Sequence, residues 1–309
     1  MILHDVTVPP ELDGTRLDKA VAKLIPGLSR ARSKRMLGEA IRVNGCYRPK
    51  ATPVATGDRI TVTDHALAGS PNAPAEPSAD APLTVAYESE SVLVVDKPAG
   101  QPTAPLRSGE RGTLVNALLG YLPSLQGVGF SPREPGLVHR LDTATSGLVL
   151  VAKTASAFET LREALQAGHL QKTYRLVCAE AGLADEGTLT FPLANHPKDS
   201  RRVLACTHPR DVMRLGPRPA TTDYRVLRRK APWALVEVVV AKALRHQIRA
   251  HFAAIEHPLA GDVLYGGEAV VEHHALHASR LAFAGTEGVE AFDVTSSDPE
   301  FVAQLLGAG

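Results

Sequence analysis

The side chains best placed to do chemistry lie between Gly136 and Lys153. The run begins apolar, passes through His139-Arg140-Leu141-Asp142-Thr143-Ala144-Thr145-Ser146, and closes on Gly147 before the apolar stretch Leu148–Ala152. A short apolar run behind such a turn reads as a buried strand. One carboxylate, Asp142, is thus held between two segments that belong in a core, with two basic side chains before it and three hydroxyls after it. Two readings of Asp142 are open. It either satisfies its own turn through a side-chain hydrogen bond, or it is a reactive group presented by rigid elements. A carboxylate kept ionised in a partly dry pocket can attack the anomeric carbon of a sugar. A neighbouring arginine would lower its pKa and offset its desolvation.

Other chemistries find less support. The chain has no Gly-x-x-x-x-Gly-Lys-Ser/Thr and no strand-linked Gly-x-Gly-x-x-Gly, which argues against nucleotide hydrolysis and dinucleotide binding. Gly-x-Ser-x-Gly is absent, and the conspicuous turn carries one acid where a glycosidase needs two. His246, His251, His257, His273 and His277 crowd the C-terminal part but show no metal-ligand spacing, so no metal is expected. They read as hydrogen-bonded core or ligand-facing groups. Cys46, Cys178 and Cys206 are far apart and form no Cys-x-x-Cys pair, which suggests a reducing compartment without structural zinc.

The elements that must position these groups come from a chain of 309 residues, long enough for two domains. Its 44% apolar and 22% charged content is that of an ordinary soluble protein. No apolar run approaches the roughly 20 residues of a membrane span. The N-terminal Met-Ile-Leu-His-Asp-Val lacks the basic start of a signal peptide, so a cytoplasmic location without membrane contact is expected. The net charge of +1 is unevenly spread. From Gly14 to Lys50, ten basic residues face only Asp18 and Glu39, a net of +8 that leaves the rest of the chain at −7.

Residues 1–63 hold that basic module. Leu17, Ala20, Val21 and Leu24 recur at helical spacing up to Pro26-Gly27. Ser29 can cap a second helix carrying Arg30, Arg32, Lys34 and Arg35. A strand at Ala40–Val43, the Asn44-Gly45 turn pair and a strand at Arg59–Thr63 follow. Cations gathered on one helix and one turn suit phosphate contact, although a solvated helix face is the plainer alternative. Residues 64–82, with four prolines and six alanines, read as a mobile, extended tether.

Residues 83–309 predict a larger domain. Strands are expected at Leu83–Tyr87, Ser91–Asp96, Lys172–Cys178, Thr222–Leu227 and Trp233–Ala241. Helices are expected behind Thr113, behind a capping box at Ser156–Glu159 and up to Gly168, and from His246 to Phe252. Residues 182–219 read as loop. The fold class is α+β with a mixed, largely antiparallel sheet.

The N-terminal module resembles the small RNA-binding domain named after ribosomal protein S-four. Thr15-Arg16-Leu17-Asp18-Lys19, Ser29-Arg30, Lys34, Ile41–Gly45, Lys50 and Gly57-Asp58 carry that likeness. Farther on, His139-Arg140-Leu141-Asp142-x-x-Thr145-Ser146-Gly147-Leu148 resembles the catalytic motif of the RluA-type pseudouridine synthases. Four further blocks agree and stand in the family's order: Val94–Gly100, Lys172-Thr173-Tyr174, His246-Gln247-Ile248-Arg249-x-His251, and His257-Pro258-Leu259-x-Gly261-Asp262-x-x-Tyr265-Gly266. Leu276-His277-Ala278 and Leu281 also fit.

The resemblance implies a pseudouridine-synthase fold and isomerisation of uridines in structured RNA, most of all in large-subunit ribosomal RNA. It implies that Asp142 acts on the uridine sugar, that Tyr174 stacks on the target base and that Arg249 pairs with Asp142. Arg140, with His139 beside it, would enter the RNA where the flipped base left. Lys97 and Ile248 would line the pocket. Arg16, Arg30, Lys34 and Arg35 would hold RNA on the N-terminal module. The reaction moves no electrons and no external group, so neither cofactor nor metal is expected, and no obligatory protein partner is implied.

The chain departs from the family at two places. Lys242-Ala243-Leu244-Arg245 stands where Thr-Gly-Arg-x is usual, and Thr143-Ala144 where a charged pair is common. The lost glycine is expected to reshape the loop, because alanine adopts positive φ less freely. It leaves a second reading open: an RNA-binding or ribosome-assembly factor with a decayed site. An RNA N-glycosidase would use the same pocket logic and release free uracil.

Overall fold

The computed structural model describes residues 2–25, 41–63 and 73–307. Its contacts divide the chain into Met1–Pro74 with Leu106–Glu110, and Ala75–Pro105 with Arg111–Gly309. The basic helix expected behind Ser29, with Arg30, Arg32, Lys34 and Arg35, lies outside the described residues, as does the first half of the tether.

In the first unit, β1 (Ile2–Thr7), α1 (Leu17–Leu24), β2 (Ile41–Val43) and β3 (Arg59–Thr63) surround a small core. Leu17, Ala20 and Val21 recur on one face of α1 and pack with Ile41, Ile60 and Val62. β3 runs between β1 and β2, antiparallel to both. Asn44 and Gly45 adopt φ of 50° and 81°, the mirror-image turn that this pair favours. Arg16 pairs with Asp18 at 3.1 Å. Periodicity does not announce β1, because His4-Asp5 interrupts its apolar alternation.

The second unit is built on a nine-stranded sheet with helices against it. Its elements are β4 (Thr84–Glu88), β5 (Val92–Lys97), α2 (Leu114–Tyr121), β6 (Ser146–Ala152), α3 (Ala155–Ala167) and β7 (Gln171–Ala179). They continue with β8 (Glu186–Leu189), β9 (Leu193–Asn195), β10 (Val203–Ala205), α4 (Pro209–Leu215), β11 (Thr222–Lys230) and β12 (Trp233–Val239). The last are α5 (Gln247–Ala254), β13 (Leu276–Phe283), β14 (Phe292–Thr295) and α6 (Glu300–Leu306). The sheet order is β4-β5-β6-β13-β7-β12-β11-β8, with β14 also on β13 and the β9–β10 hairpin apart. Every pairing is antiparallel except β6 with β13. This is the mixed, largely antiparallel sheet that the pattern predicts.

The unbroken apolar runs of β5 and β6 have a simple cause. Leu93, Val95, Val149 and Val151 point into one core with α2, and Val92, Val94, Leu148 and Leu150 point into another with α3. A strand covered on both faces has no reason to alternate. Thr113 caps α2, with its side chain accepting from the Asn116 N–H. α3 starts earlier than expected: its cap is Thr154, whose Oγ1 accepts from Ala157 N at 3.2 Å, rather than Ser156. Gly168 closes the helix in the left-handed region.

Residues 75–82 do not form a free tether. Ala75 is buried in the core beside α2, and Asn116 Nδ2 donates to Glu76 O at 2.6 Å. Gly120 lets this strap lie flush, since a Cβ there would stand 2.5 Å from Ser78 O. Ala75 lacks the bulk for a core of its own but fits on one already built, while Ala79 stays exposed.

Where β6 meets β13, Ser146 lies opposite His277 and Gly147 opposite Ala278. Gly147 has φ of 110°, and a Cβ there would fall 2.3 Å from Ala278 O. Gly147→Ala is therefore expected to cost roughly 2–5 kcal/mol, from backbone strain plus overpacking. Urea denaturation checks this; wild-type stability would mean that the close approach is not needed.

Candidate active site

Asp142 sits in the turn that feeds β6, and its carboxylate is not what closes that turn. Thr145 N donates to Asp142 O at 3.1 Å, a backbone contact. Thr145 Oγ1 lies 2.7 Å from His274 Nε2, and Ser146 Oγ lies 2.8 Å from His277 Nδ1. On the other side, Thr103 Oγ1 donates to Leu141 O at 2.7 Å. The Thr143 carbonyl accepts from Gly100 N at 2.8 Å and from Lys97 Nζ at 3.1 Å. The flanking groups are used to anchor the turn, and the Asp142 side chain is left free to face α5.

There it meets Arg249. Arg249 Nη1 donates to Asp142 Oδ2 at 2.9 Å, while Nε and Nη2 fork onto Asp262 at 2.7 and 2.8 Å. Asp262 and Arg249 are almost fully enclosed, with side chains 1% and 7% exposed, whereas Asp142 retains 28%. Arg249 is thus a fixed cation, tied down from behind and offered to the more open carboxylate. Its guanidinium also lies over the Tyr265 ring, 5.0 Å from the centroid. Burial works against its charge, but the bonds and charge of Asp262, helped by Asp142, outweigh this and raise its pKa. Among the described residues Asp142 Oδ1 has no hydrogen-bond donor, so one oxygen is held and the other is available.

Tyr174, on β7, is buried, and burial followed by the charge of Asp142 pushes its hydroxyl pKa up, which keeps the ring a neutral phenol. Ile248 is buried beside Arg249 on α5. Tyr174 thus lies within electrostatic reach of Asp142, and Ile248 directly precedes the arginine that holds it.

Residues 91–254 match the family model described as RNA pseudouridylate synthase. The chain belongs to the RNA pseudouridylate synthase family. It is of the RluA type and, like the family, an isomerase. It is 35% identical over 319 residues to ribosomal large subunit pseudouridine synthase D of Neisseria meningitidis, covering 97% of this chain and 80% of that one. The protein of the same description from Nitrosomonas europaea is 34% identical over 316 residues, covering 98% and 87%. Among solved structures, human RNA pseudouridylate synthase domain containing 1 superposes with a TM-score of 0.59 at 24% identity, covering 75% of this chain and 89% of that one. That last likeness concerns the fold.

The remaining residues singled out by the family motifs take several positions. Lys97 is buried, and besides Thr143 O its Nζ donates to Pro98 O at 2.9 Å and Gln101 O at 2.8 Å. Burial lowers its pKa to about 8, against the pull of Asp142 and then Asp96. It braces the Asp142 turn from below. His139 Nε2 accepts the Leu150 N–H of β6 at 3.1 Å. Burial, and next the charge of Lys172, push its pKa down to about 3, as an acceptor nitrogen requires. His139 is therefore occupied as a strand anchor. Arg140 is 61% exposed and pairs with Glu134 at 2.5 Å, apart from the Asp142–Arg249 cluster. Arg16 stands in the first unit, and Arg30, Lys34 and Arg35 lie outside the described residues.

Two members of the site, Asp262 and Tyr265, carry no role in the sequence analysis, and His246 is read there only as a core or ligand-facing group. Asp262 and Tyr265 stand in a quoted block, but their use depends on a contact 13 residues away in sequence for the Arg249–Asp262 pair. The other histidines are staples. His251 joins Thr222 and the Phe191 carbonyl, and His257 meets the Ala179 carbonyl at 2.9 Å. The departure at Lys242–Arg245 is mild in structure. Ala243 is not among the residues with positive φ, so the missing glycine leaves no strain there. Arg245 donates to Ser200 O at 3.1 Å and Arg201 O at 2.7 Å, bracing the β9–β10 hairpin.

Proposed function

We propose that this pseudouridine synthase isomerises specific uridines in large-subunit ribosomal RNA in the cytoplasm, with Asp142 as the reacting carboxylate. The observation that carries the reading is the Asp142–Arg249–Asp262 chain, in which one carboxylate oxygen is held at 2.9 Å and the other has no donor among the described residues. A base buried in duplex or folded RNA must first leave its stack to reach this pocket. Tyr174 would receive the uracil face. Asp142, held by Arg249, would act at the ribose so that the bond from the anomeric carbon to N1 breaks. The uracil turns within the site, and its carbon five bonds to the anomeric carbon. The proton of carbon five leaves and N1 gains one, so the product is an isomer and no co-reactant is consumed. Lys97 and Ile248 would set the pocket floor and wall, and Arg140, exposed near the turn, would contact the RNA strand.

The ribosomal substrate is supported by the description of the relatives from Neisseria meningitidis and Nitrosomonas europaea. The first unit would hold RNA through Arg16, Arg30, Lys34 and Arg35, which the +8 balance of that segment favours. Mapping pseudouridines in ribosomal RNA from cells with and without this protein tests the substrate. Loss of defined large-subunit positions is expected; an unchanged large-subunit map would overturn the assignment.

A further inference from the structure

Asp142 has a second polar neighbour. His246 stands at the start of α5 with φ of 52°, a left-handed conformation uncommon for a residue with a Cβ. Its side chain is 11% exposed, and its Nε2 lies 3.5 Å from Asp142 Oδ2. Its Nδ1 lies 3.0 Å from Tyr265 Oη. That hydroxyl accepts the Val203 N–H at 2.9 Å and has one proton to give.

Two acceptors compete for the Tyr265 proton, His246 Nδ1 at 3.0 Å and Val203 O at 3.4 Å. If the carbonyl took it, Nδ1 would have to carry the imidazole proton, and the bare lone pair of Nε2 would face a carboxylate. If Nδ1 accepts it, the imidazole proton sits on Nε2 and points at Asp142. The shorter distance and the carboxylate both select the second arrangement. Burial, opposed by Asp142, keeps the ring pKa below its ordinary value, so the tautomer rather than a positive charge defines its behaviour.

We propose that His246 is a positioning residue: Tyr265 holds it as the Nε2–H tautomer, and it acts as the second donor to Asp142 Oδ2, leaving Oδ1 to face the sugar. At 3.5 Å the contact is longer than a formed hydrogen bond, and it shortens as substrate fills the pocket. The inference rests on Asp142 being the reacting group.

The test compares His246→Ala, His246→Asn, His246→Gln and Tyr265→Phe with wild type. Each is assayed on a large-subunit ribosomal RNA transcript carrying tritium at carbon five of uridine, with thermal melting to establish folding. Glutamine can place an amide N–H where Nε2 stands. Asparagine suits the left-handed backbone but is too short to reach. A donor role predicts that Ala and Asn lower kcat about 10- to 100-fold with little change in KM, the scale of one hydrogen bond to a charged group. It predicts that Gln restores most of the rate. Tyr265→Phe should lower kcat in the same range, with no further loss when combined with His246→Ala. Rescue by Asn but not Gln would mean that His246 only shapes the helix start, and full activity of His246→Ala would also overturn the proposal. Asp142→Asn run in parallel keeps the two readings apart, since retained activity there defeats the proposed function itself.

Discussion

Replacing Asp142 by Asn is expected to lower the isomerisation rate at least about ten-thousand-fold while stability changes by less than about 1 kcal/mol. The two halves of that expectation have separate causes. The turn is closed by Thr145 N and braced by Thr103, Lys97, His274 and His277, so it does not need the carboxylate. Asn has the same shape and occupies a position 28% exposed, where loss of a charge leaves no buried orphan. Arg249 keeps its fork onto Asp262. What disappears is the carboxylate proposed to act at the ribose. Urea unfolding, RNA filter binding and nucleoside analysis on one preparation check all three parts. A variant that unfolds would show that Asp142 serves structure after all.

Arg249→Met should act in the opposite way, damaging stability as well as activity. The Asp262 side chain is 1% exposed, and its two oxygens take their hydrogen bonds from Arg249. Without the guanidinium it becomes a buried, unpaired carboxylate, a change that costs about 3–5 kcal/mol. Activity is expected to fall as well, because Asp142 loses the donor that holds and aims its Oδ2. Adding Asp262→Asn removes the stranded charge and should recover most of the stability without recovering the rate. Denaturant midpoints and single-turnover rates of the single and double variants separate the two effects. Equal stability of Arg249→Met and wild type would mean that water reaches Asp262 and that the fork holds nothing in place.

Much of the fold was legible because burial on both faces writes a plain signature. β5 and β6 stand out as apolar runs and β7 as an alternating one, and Thr113 and Gly168 punctuate the helices between them. β8, β9 and β10 run only three or four residues each, too short for any periodicity, so the stretch from 182 to 219 reads as loop. The cap of α3 was misplaced because Thr154 and Ser156 both stand ahead of the helix, and only geometry shows which hydroxyl accepts from Ala157 N. At the site, resemblance rather than pattern singled out Tyr174 and Arg249. The pair Asp142–Arg249 spans 107 positions, and no local rule connects them. His139 shows the converse limit. It stands in the motif three residues before Asp142, yet its ring nitrogen is spent on Leu150 N. Asp262, Tyr265 and His246 gain meaning only through contacts with Arg249, Val203 and Asp142, which a linear reading does not contain.

The hydrogen on carbon five of uridine reports the reaction most directly. Large-subunit ribosomal RNA transcribed with uridine tritiated at that carbon is incubated with the pure full-length protein, and water, RNA and free bases are then counted. One tritium is expected in water for each pseudouridine formed, with no free uracil, and no release by Asp142→Asn. Tritium that stays in the RNA, or that leaves as labelled free uracil, would contradict that expectation.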